Sequence, residues 1–180
     1  MKETWQIILS GVGGQGLMLA GKLLGIAATT YEGKNAIMSS AYGIETRGTF
    51  SKSDIIISKG EIDYPEVLQA DLVIALAAVA YKKYAASLME ETILLYDDTI
   101  EPMPSKARQM GFPIAKIAKE ALNPCGANIV SLGLLIGMTR VVKAEAVRKA
   151  IAAEFAGKQS LAELNLQSFS SGLAAIDIYS

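Results

Sequence analysis

The chain has 180 residues, of which 51% are hydrophobic and 19% charged, and its formal net charge is −1. This balance gives no basic surface for nucleic acid, and no stretch of about 18 apolar residues predicts a membrane-spanning helix. There is no histidine and a single cysteine, Cys125, which excludes a four-cysteine iron–sulfur cluster, a structural zinc site and an internal disulfide. We expect a cytoplasmic protein with a large core or with apolar surface kept for a partner.

The N-terminal third is predicted to alternate between strand and helix, with one break. Residues 5–10, WQIILS, form a continuous apolar run typical of a buried strand, and residues 15–31 carry apolar side chains at helical spacing. A second strand is predicted over 35–40, followed by a polar, glycine-bearing loop over 41–48. The next predicted strand, 49–58, arrives without an intervening helix, so the alternation of a doubly wound sheet is interrupted here.

The rest of the chain changes from strands to helices. A buried strand over 70–77, entered by Pro65 and a short helical turn, precedes a helix over 81–91 and a strand over 92–98. Helical patterns then follow over 105–123, with a break near Gly111 and Pro113, and over 127–139, 143–157 and 160–176. We therefore predict one α/β domain over residues 1–180. Its fold should be a three-layer α/β/α arrangement with a mostly parallel, Rossmann-like sheet and a helical C-terminal end.

A glycine loop follows the first strand in the stretch SGVGGQGLMLAG, residues 10–21. Gly11, Gly13 and Gly16 fit the G-x-G-x-x-G pattern, in which a phosphate approaches backbone amides at a helix start. A dinucleotide site also needs an acid at the end of the second strand, and residues 38–40 are Met-Ser-Ser. A stand-alone NAD(P)-binding oxidoreductase is therefore the alternative hypothesis. The loop is equally consistent with anion binding or with tight packing of the first helix.

Several polar residues each allow two interpretations. The Gln15 amide can join the loop to a neighbouring segment or meet a partner, or it can cap the first helix. Asn128 is typical of a helix cap and is also a ligand candidate. Asp97 and Asp98 follow a predicted strand, which fits a magnesium-linked role or a turn. Cys125 precedes a helix, which fits a reactive thiol or a buried or half-buried structural one.

The residues 11–28, GVGGQGLMLAGKLLGIAA, resemble the opening of the gamma subunits of 2-oxoacid:ferredoxin oxidoreductases, where a Gly-x-Gly-Gly-Gln-Gly loop precedes an Ala-Gly helix. That family continues with Tyr-Gly-x-Glu-x-Arg-Gly-Gly, and this chain has YGIETRGT, with Thr49 in place of the second glycine. The segments EIDYPEVLQADLVIAL, 61–76, and ANIVSLGLLIGMT, 127–139, are similar to later family motifs. The resemblance therefore runs in order from residue 7 to about residue 139.

The resemblance implies a complex that oxidatively decarboxylates a 2-oxoacid, with 2-oxoglutarate favoured, to an acyl-coenzyme A and reduces ferredoxin. It places thiamine diphosphate, Mg²⁺, 4Fe-4S clusters and coenzyme A (CoA) on the alpha, beta and ferredoxin-like subunits. The gamma subunit itself is expected to carry no catalytic or metal-binding residue and to be inactive in isolation. Exposed apolar surface is expected to let the isolated chain self-associate. Nucleic acid and membrane are not expected partners.

The resemblance and the loop together nominate residues that contact a ligand or a partner subunit. Arg47 is expected either to meet an anion, such as a CoA phosphate, or to pair across an interface, whereas an ion pair with Glu45 within the loop is the alternative. The complete set of candidates is Gly11, Gly13, Gly14, Gln15, Gly16, Tyr42, Gly43, Glu45, Arg47, Gly48 and Asn128.

Overall fold

The structure is a computed structural model that describes residues 2–42 and 49–179. Its strands and helices follow one another along the chain as β1 (Thr4–Val12), α1 (Leu17–Glu32), β2 (Asn35–Tyr42), β3 (Phe50–Ser58), β4 (Leu72–Ala75), α2 (Ala78–Ala85), β5 (Ile93–Asp97), β6 (Arg108–Phe112), α3 (Ile114–Glu120), α4 (Ala127–Thr139), α5 (Ala144–Glu154) and α6 (Gln159–Tyr179). The bounds of α4 are those that the sequence predicts, and β1, α1 and β3 agree to within a few residues.

The six strands form one sheet in the order β2-β3-β1-β4-β5-β6. β1, β4, β5 and β6 are parallel neighbours, whereas β3 is antiparallel to β1 on one side and to β2 on the other. Five strands therefore run in one direction and β3 runs against them. This arrangement confirms the predicted mostly parallel sheet and the break in the alternation, because β3 enters directly after β2.

The sheet lies between two unequal helical layers, which confirms the three-layer prediction. Successive side chains of a strand point to opposite faces, so Ile7 and Leu9 pack with α1 and the C-terminal helices, while Ile8 packs with α2. The first core contains residues of α1, α3, α4, α5 and α6. The second core is smaller, and among the described residues α2 is the helix that covers it, through Tyr81, Tyr84 and neighbouring alanines.

The C-terminal helices α4 and α6 approach each other at glycines. A Cβ on Gly172 would collide with the Val130 carbonyl, and a Cβ on Gly133 would collide with the backbone of Phe169 and Leu173. Because these neighbours are backbone atoms, the two helices cannot hold larger residues at the crossing without moving apart.

Within residues 2–42 and 49–179, no helix is both long enough and apolar enough to cross a membrane.

Three predicted elements differ from the structure. The predicted helix over 105–123 is wrong in its first half, because β6 occupies Arg108–Phe112 and only α3 is helical. Lys, Ala, Arg, Gln and Met are good helix formers, but pairing with β5 places this segment in the sheet. The approach to β4 contains bends and no helical turn at Pro65, and α2 begins and ends earlier than the predicted 81–91.

We expect Gly172→Ala to lower the free energy of unfolding by at least ~2 kcal/mol, because the added methyl group meets an immobile carbonyl. Gly25→Ala, at a helical glycine whose Cβ would meet nothing within 4 Å, should instead stabilise the protein by up to about 1 kcal/mol. Chemical denaturation of both variants measures the difference. A neutral Gly172→Ala variant would contradict the close crossing of α4 and α6.

Candidate functional site

The glycine loop lies at the carboxyl ends of the parallel strands, between β1 and β4. The chain leaves β1 into α1 on one face of the sheet and leaves β4 into α2 on the other face. These two neighbouring parallel strands therefore make a topological switch point, the place where open α/β sheets bind their ligands. This position makes the loop the first candidate for the functional site.

The loop conformation depends on glycine at two positions. Gly14 has φ 94° and Gly16 has φ 70°, both in the left-handed region that strains other residues. The Gly13 N–H donates to the Thr49 carbonyl at 3.1 Å, and the Gln15 N–H donates to the Val12 carbonyl at 3.2 Å. The loop is thus a tight turn that is also tied to the start of β3.

The Gln15 side chain joins the loop to the end of β4. Its amide oxygen accepts a hydrogen bond from the Val12 N–H at 2.8 Å, and its Nε2 donates to the Leu76 carbonyl at 3.0 Å. A Cβ on Gly11 would collide with the Gln15 amide oxygen, so glycine makes room for this bridge. Of the interpretations open from the sequence, the structure shows the link to a neighbouring segment, and α1 has no side-chain cap at its start.

Asn128 fastens the loop from the other side. This side chain is buried, at 5% exposure, and its Nδ2 donates to the Gly16 carbonyl at 2.9 Å. A Cβ on Gly16 would lie 3.0 Å from the Asn128 amide carbon. The prediction that Asn128 caps its own helix is wrong, because the cap position of α4 is Gly126 and makes no side-chain cap hydrogen bond.

The structure brings together six of the predicted candidates: Gly11, Gly13, Gly14, Gln15, Gly16 and Asn128. Tyr42 lies in the same row across the sheet, because it pairs with Ser51 of β3, which pairs in turn with Gly11 of β1. Two strand spacings place the Tyr42 backbone about 10 Å from Gly11. The remaining candidates, Gly43, Glu45, Arg47 and Gly48, lie outside the described residues. The backbone partners Thr49 and Leu76 carry no side-chain signal that sequence reasoning could have used.

Asp97, the last residue of β5, has a structural role. Asp97 is buried, and its Oδ2 accepts from the Ala115 N–H at 2.7 Å while its Oδ1 accepts from the Thr99 N–H at 3.1 Å. These contacts favour the turn interpretation over a magnesium-linked one. Residues 2–42 and 49–179 contain no cluster of three His, Cys, Asp or Glu that could hold a metal ion. Cys125 is exposed, so its interpretation as a buried structural thiol is wrong.

The rim of the site is apolar on both sides of the loop. Met18 in the first turn of α1 is 46% exposed, and Val79 in the first turn of α2 is 47% exposed. Between them lie the loop backbone and the Gln15 bridge. The surface at the carboxyl ends of the strands therefore presents two exposed apolar side chains beside the loop backbone, which suits binding to a partner or a ligand.

A buried tyrosine of α2, Tyr84, has a strongly raised pKa. Burial disfavours the phenolate of Tyr84, and the negative charge of Asp54 disfavours it further, so the pKa rises to about 12 from an ordinary 10.0. Asp54 is itself buried and pairs with Lys52. The Tyr84 ring packs near Phe50, with ring centroids 6.2 Å apart. Tyr84 thus belongs to the packing of α2 on the sheet.

The geometry does not favour the dinucleotide hypothesis. In the expected geometry, the end of the second strand lies next to the glycine loop, so that its acid reaches the ribose. Here β3 lies between β1 and β2, which moves the end of β2 away from the loop. The Gln15 side chain also spans from the loop to β4 at the switch point.

An open α/β/α domain with a glycine loop fastened by two side-chain amides is the class of protein that the fold and the site define. The chain belongs to the family described as pyruvate ferredoxin/flavodoxin oxidoreductase, whose model matches residues 6–175.

Relatives and solved structures agree with this family. A 2-oxoglutarate synthase subunit KorC of Methanocaldococcus jannaschii is 40% identical over 177 residues, which cover 96% of this chain and 94% of that protein. The structure of the gamma subunit of a keto/oxoacid ferredoxin oxidoreductase from Geobacter sulfurreducens superposes with a TM-score of 0.86 at 36% identity, and covers 99% of both chains.

A third structure shows the same fold within a longer chain. The 2-oxoglutarate:ferredoxin oxidoreductase of Magnetococcus marinus, solved with 2-oxoglutarate, coenzyme A and succinyl-CoA bound, matches all of this chain with a TM-score of 0.89 at 20% identity. The match occupies 32% of that chain. The fold therefore occurs both as a chain of about this length and as one part of a larger polypeptide.

We expect Gln15→Met to lower the free energy of unfolding by about 1–3 kcal/mol, because the Val12 N–H and the Leu76 carbonyl both lose their partner. The exposed Gln167→Met on α6 is the matched control and should change stability by less than about 0.5 kcal/mol. Urea denaturation of the two variants gives the comparison. Equal effects would show that the Gln15 bridge contributes nothing beyond a surface residue.

We expect Tyr84 to ionise only near pH 12, which links its packing to alkaline stability. Because its pKa is raised in the folded state, its contribution is complete below pH 10 and is lost as the pH rises from about 10 through about 12. Tyr84→Phe should therefore remove one late step from the tyrosinate absorbance titration and move alkaline unfolding to higher pH. The exposed Tyr31→Phe is the control, and an identical response of both variants would contradict the prediction.

Proposed function

We propose that this chain is the gamma subunit of a 2-oxoacid:ferredoxin oxidoreductase complex, with 2-oxoglutarate as the favoured substrate. The complex would oxidatively decarboxylate the 2-oxoacid to an acyl-CoA and pass the electrons to ferredoxin. The observation that carries the proposal is the match over nearly the full length of both chains to a 2-oxoglutarate synthase subunit at 40% identity. The full-length match to a gamma subunit structure supports it.

The residues of this chain favour a non-catalytic role within that complex. The whole sequence holds one cysteine and no histidine, and the described residues contain no metal-binding cluster. These residues do not fit a 4Fe-4S cluster or a catalytic metal. Thiamine diphosphate, Mg²⁺ and the clusters would accordingly be held by the alpha, beta and ferredoxin-like subunits, in a complex that we place in the cytoplasm.

We assign the surface at the carboxyl ends of the parallel strands to binding a partner subunit or CoA. It contains the glycine loop, the apolar Met18 and Val79, and the backbone of Tyr42 in the same row of the sheet. Thr49, which follows the segment Gly43–Gly48, is tied to Gly13 by a hydrogen bond at 3.1 Å. The first family motif, the glycine loop, lies at the carboxyl ends of the strands. The residues that flank the second motif, Tyr42 and Thr49, lie there too. This supports a shared binding role for Gly43, Glu45, Arg47 and Gly48.

The stand-alone NAD(P)-binding oxidoreductase is not favoured. The relatives are subunits of oxoacid oxidoreductases, and β3 separates the end of β2 from the glycine loop. Saturable binding of NADH or NADPH to the isolated chain would revive this alternative.

Reconstitution tests the proposed function. The chain is expected to show no decarboxylation and no visible chromophore when purified alone. Added to its alpha, beta and ferredoxin-like partners, it should restore CoA-dependent ferredoxin reduction with 2-oxoglutarate. Full activity of the other subunits without this chain would reject an essential role.

We expect Arg47→Gln to raise the KM for CoA about tenfold, equivalent to ~1.4 kcal/mol, with the complex still assembled, if Arg47 meets a CoA phosphate. Loss of assembly at unchanged KM would instead assign Arg47 to an interface. Arg108→Gln, at the amino end of β6 on the opposite edge of the sheet, is the matched control. The measurement is steady-state ferredoxin reduction together with gel filtration. No change in either quantity would remove Arg47 from the site.

A further inference from the structure

The edge strand β2 is a long, uncharged template for pairing with another strand. Its eight residues, NAIMSSAY, pair with β3 in unbroken register from Asn35 with Ser58 to Tyr42 with Ser51. Among residues 2–42 and 49–179, no strand pairs with its outer side. Natural edge strands are usually protected by charges, proline, bulges or short length, and β2 has none of these.

The opposite edge of the sheet is different. β6 has five residues, begins with the exposed Arg108 and contains Gly111. A short strand with a charge and a glycine is a poor template for pairing. The two edges of the sheet that residues 2–42 and 49–179 form are thus unequal, and β2 offers the longer row of backbone groups.

The hydrogen bonds of β3 decide which backbone groups of β2 point outward. The Gly13 N–H donates to Thr49, and the Lys59 N–H donates to Glu3, so the odd-numbered residues of β3 direct their backbone groups toward β1. The even-numbered residues of β3 therefore direct theirs toward β2. Their partners in register, such as Ser39 opposite Asp54, are the odd-numbered residues of β2.

It follows that the even-numbered residues of β2 present N–H and C=O groups at the edge. These residues are Ala36, Met38, Ser40 and Tyr42. Groups spaced two residues apart along an edge are the pattern that a further antiparallel strand satisfies.

We infer that this edge binds a second copy of the chain, with the two β2 strands antiparallel about a two-fold axis at Ser39. In this register Met38 lies opposite the partner's Ser40, and Ile37 lies opposite the partner's Ala41. Each larger side chain therefore faces a small one, and the uncharged strand brings no like charges together. Isologous two-fold contacts are the commonest way in which copies of one chain associate.

The exposure of the strand fits this occupant. Ser39, Ser40 and Ala41 are exposed, and Met38 is 42% exposed although its sulfur lies close to Gly21 of α1. An axis perpendicular to the sheet would extend the six strands of one copy into a twelve-stranded sheet. The inference concerns the isolated chain and does not depend on the activity proposed above.

Sedimentation equilibrium of the isolated chain over about a hundredfold range of concentration measures the pairing by mass action. Ser40→Pro removes an N–H that points outward and leaves the ladder to β3 intact, so it should raise the dimer Kd at least tenfold without unfolding the chain. Ser40→Ala keeps that N–H and should leave the Kd unchanged. A chain that stays monomeric at every concentration would overturn the inference.

Disulfide cross-linking tests the register and does not depend on the proline variant. In a Cys125→Ser background, Ser39→Cys places two thiols across the axis, where facing Cα atoms lie about 4.5 Å apart, within disulfide range. Ala41→Cys is the matched control, because it is exposed on the same face but lies about 14 Å from its copy in this register.

Mild oxidation should covalently link the Ser39→Cys protein and leave the Ala41→Cys protein without a covalent cross-link. Equal cross-linking of both variants would overturn the register. A different outcome is that the isolated chain stays monomeric and Ser40→Pro weakens assembly with the alpha and beta subunits. That outcome would show that β2 binds a partner subunit, and self-pairing would be rejected.

Discussion

The antiparallel pairing of β3 with β1 is the constraint on which the rest of the structure depends. Because β3 follows β2 directly and pairs with it, the two strands enter the sheet together, and β3 takes the place next to β1. This insertion removes the end of β2 from the neighbourhood of the glycine loop, so the loop loses the geometry of a dinucleotide site. The same insertion leaves β2 at the edge of the sheet, where no strand of residues 2–42 and 49–179 pairs with its outer side.

Side-chain amides give the glycine loop its fixed shape. An amide carries a donor and an acceptor, so Gln15 satisfies a backbone N–H and a backbone carbonyl at once, whereas a carboxylate would satisfy only the N–H. Asn128 holds the carbonyl of Gly16 from α4. The glycines at 11, 14 and 16 supply the space and the left-handed backbone that these contacts require. The family motif Gly-x-Gly-Gly-Gln-Gly is thus a self-consistent local structure whatever it binds.

Much of the fold follows from the apolar pattern of the sequence, and the failures have physical causes. The continuous apolar runs of β1 and α4 predict those elements because both are buried on nearly every side. β6 is not predicted because its sequence, RQMGF, contains residues that favour helices. Its strand conformation depends on parallel pairing with β5. Local motifs in the sequence identify the glycines and Gln15. They do not reveal the role of Asn128, because its partner Gly16 is 112 residues away.

The Asn128 contact has a consequence for how the loop meets another molecule. α4 is buried along most of its length and crosses α6 at glycines where the two backbones are in close contact. Through Asn128, the loop is attached to this closely packed pair of helices on one side and, through Gln15, to the end of β4 on the other. The loop backbone is therefore preorganised for a partner that docks there, and association costs little conformational entropy. The affinity then depends on the shape and chemical complementarity of the partner.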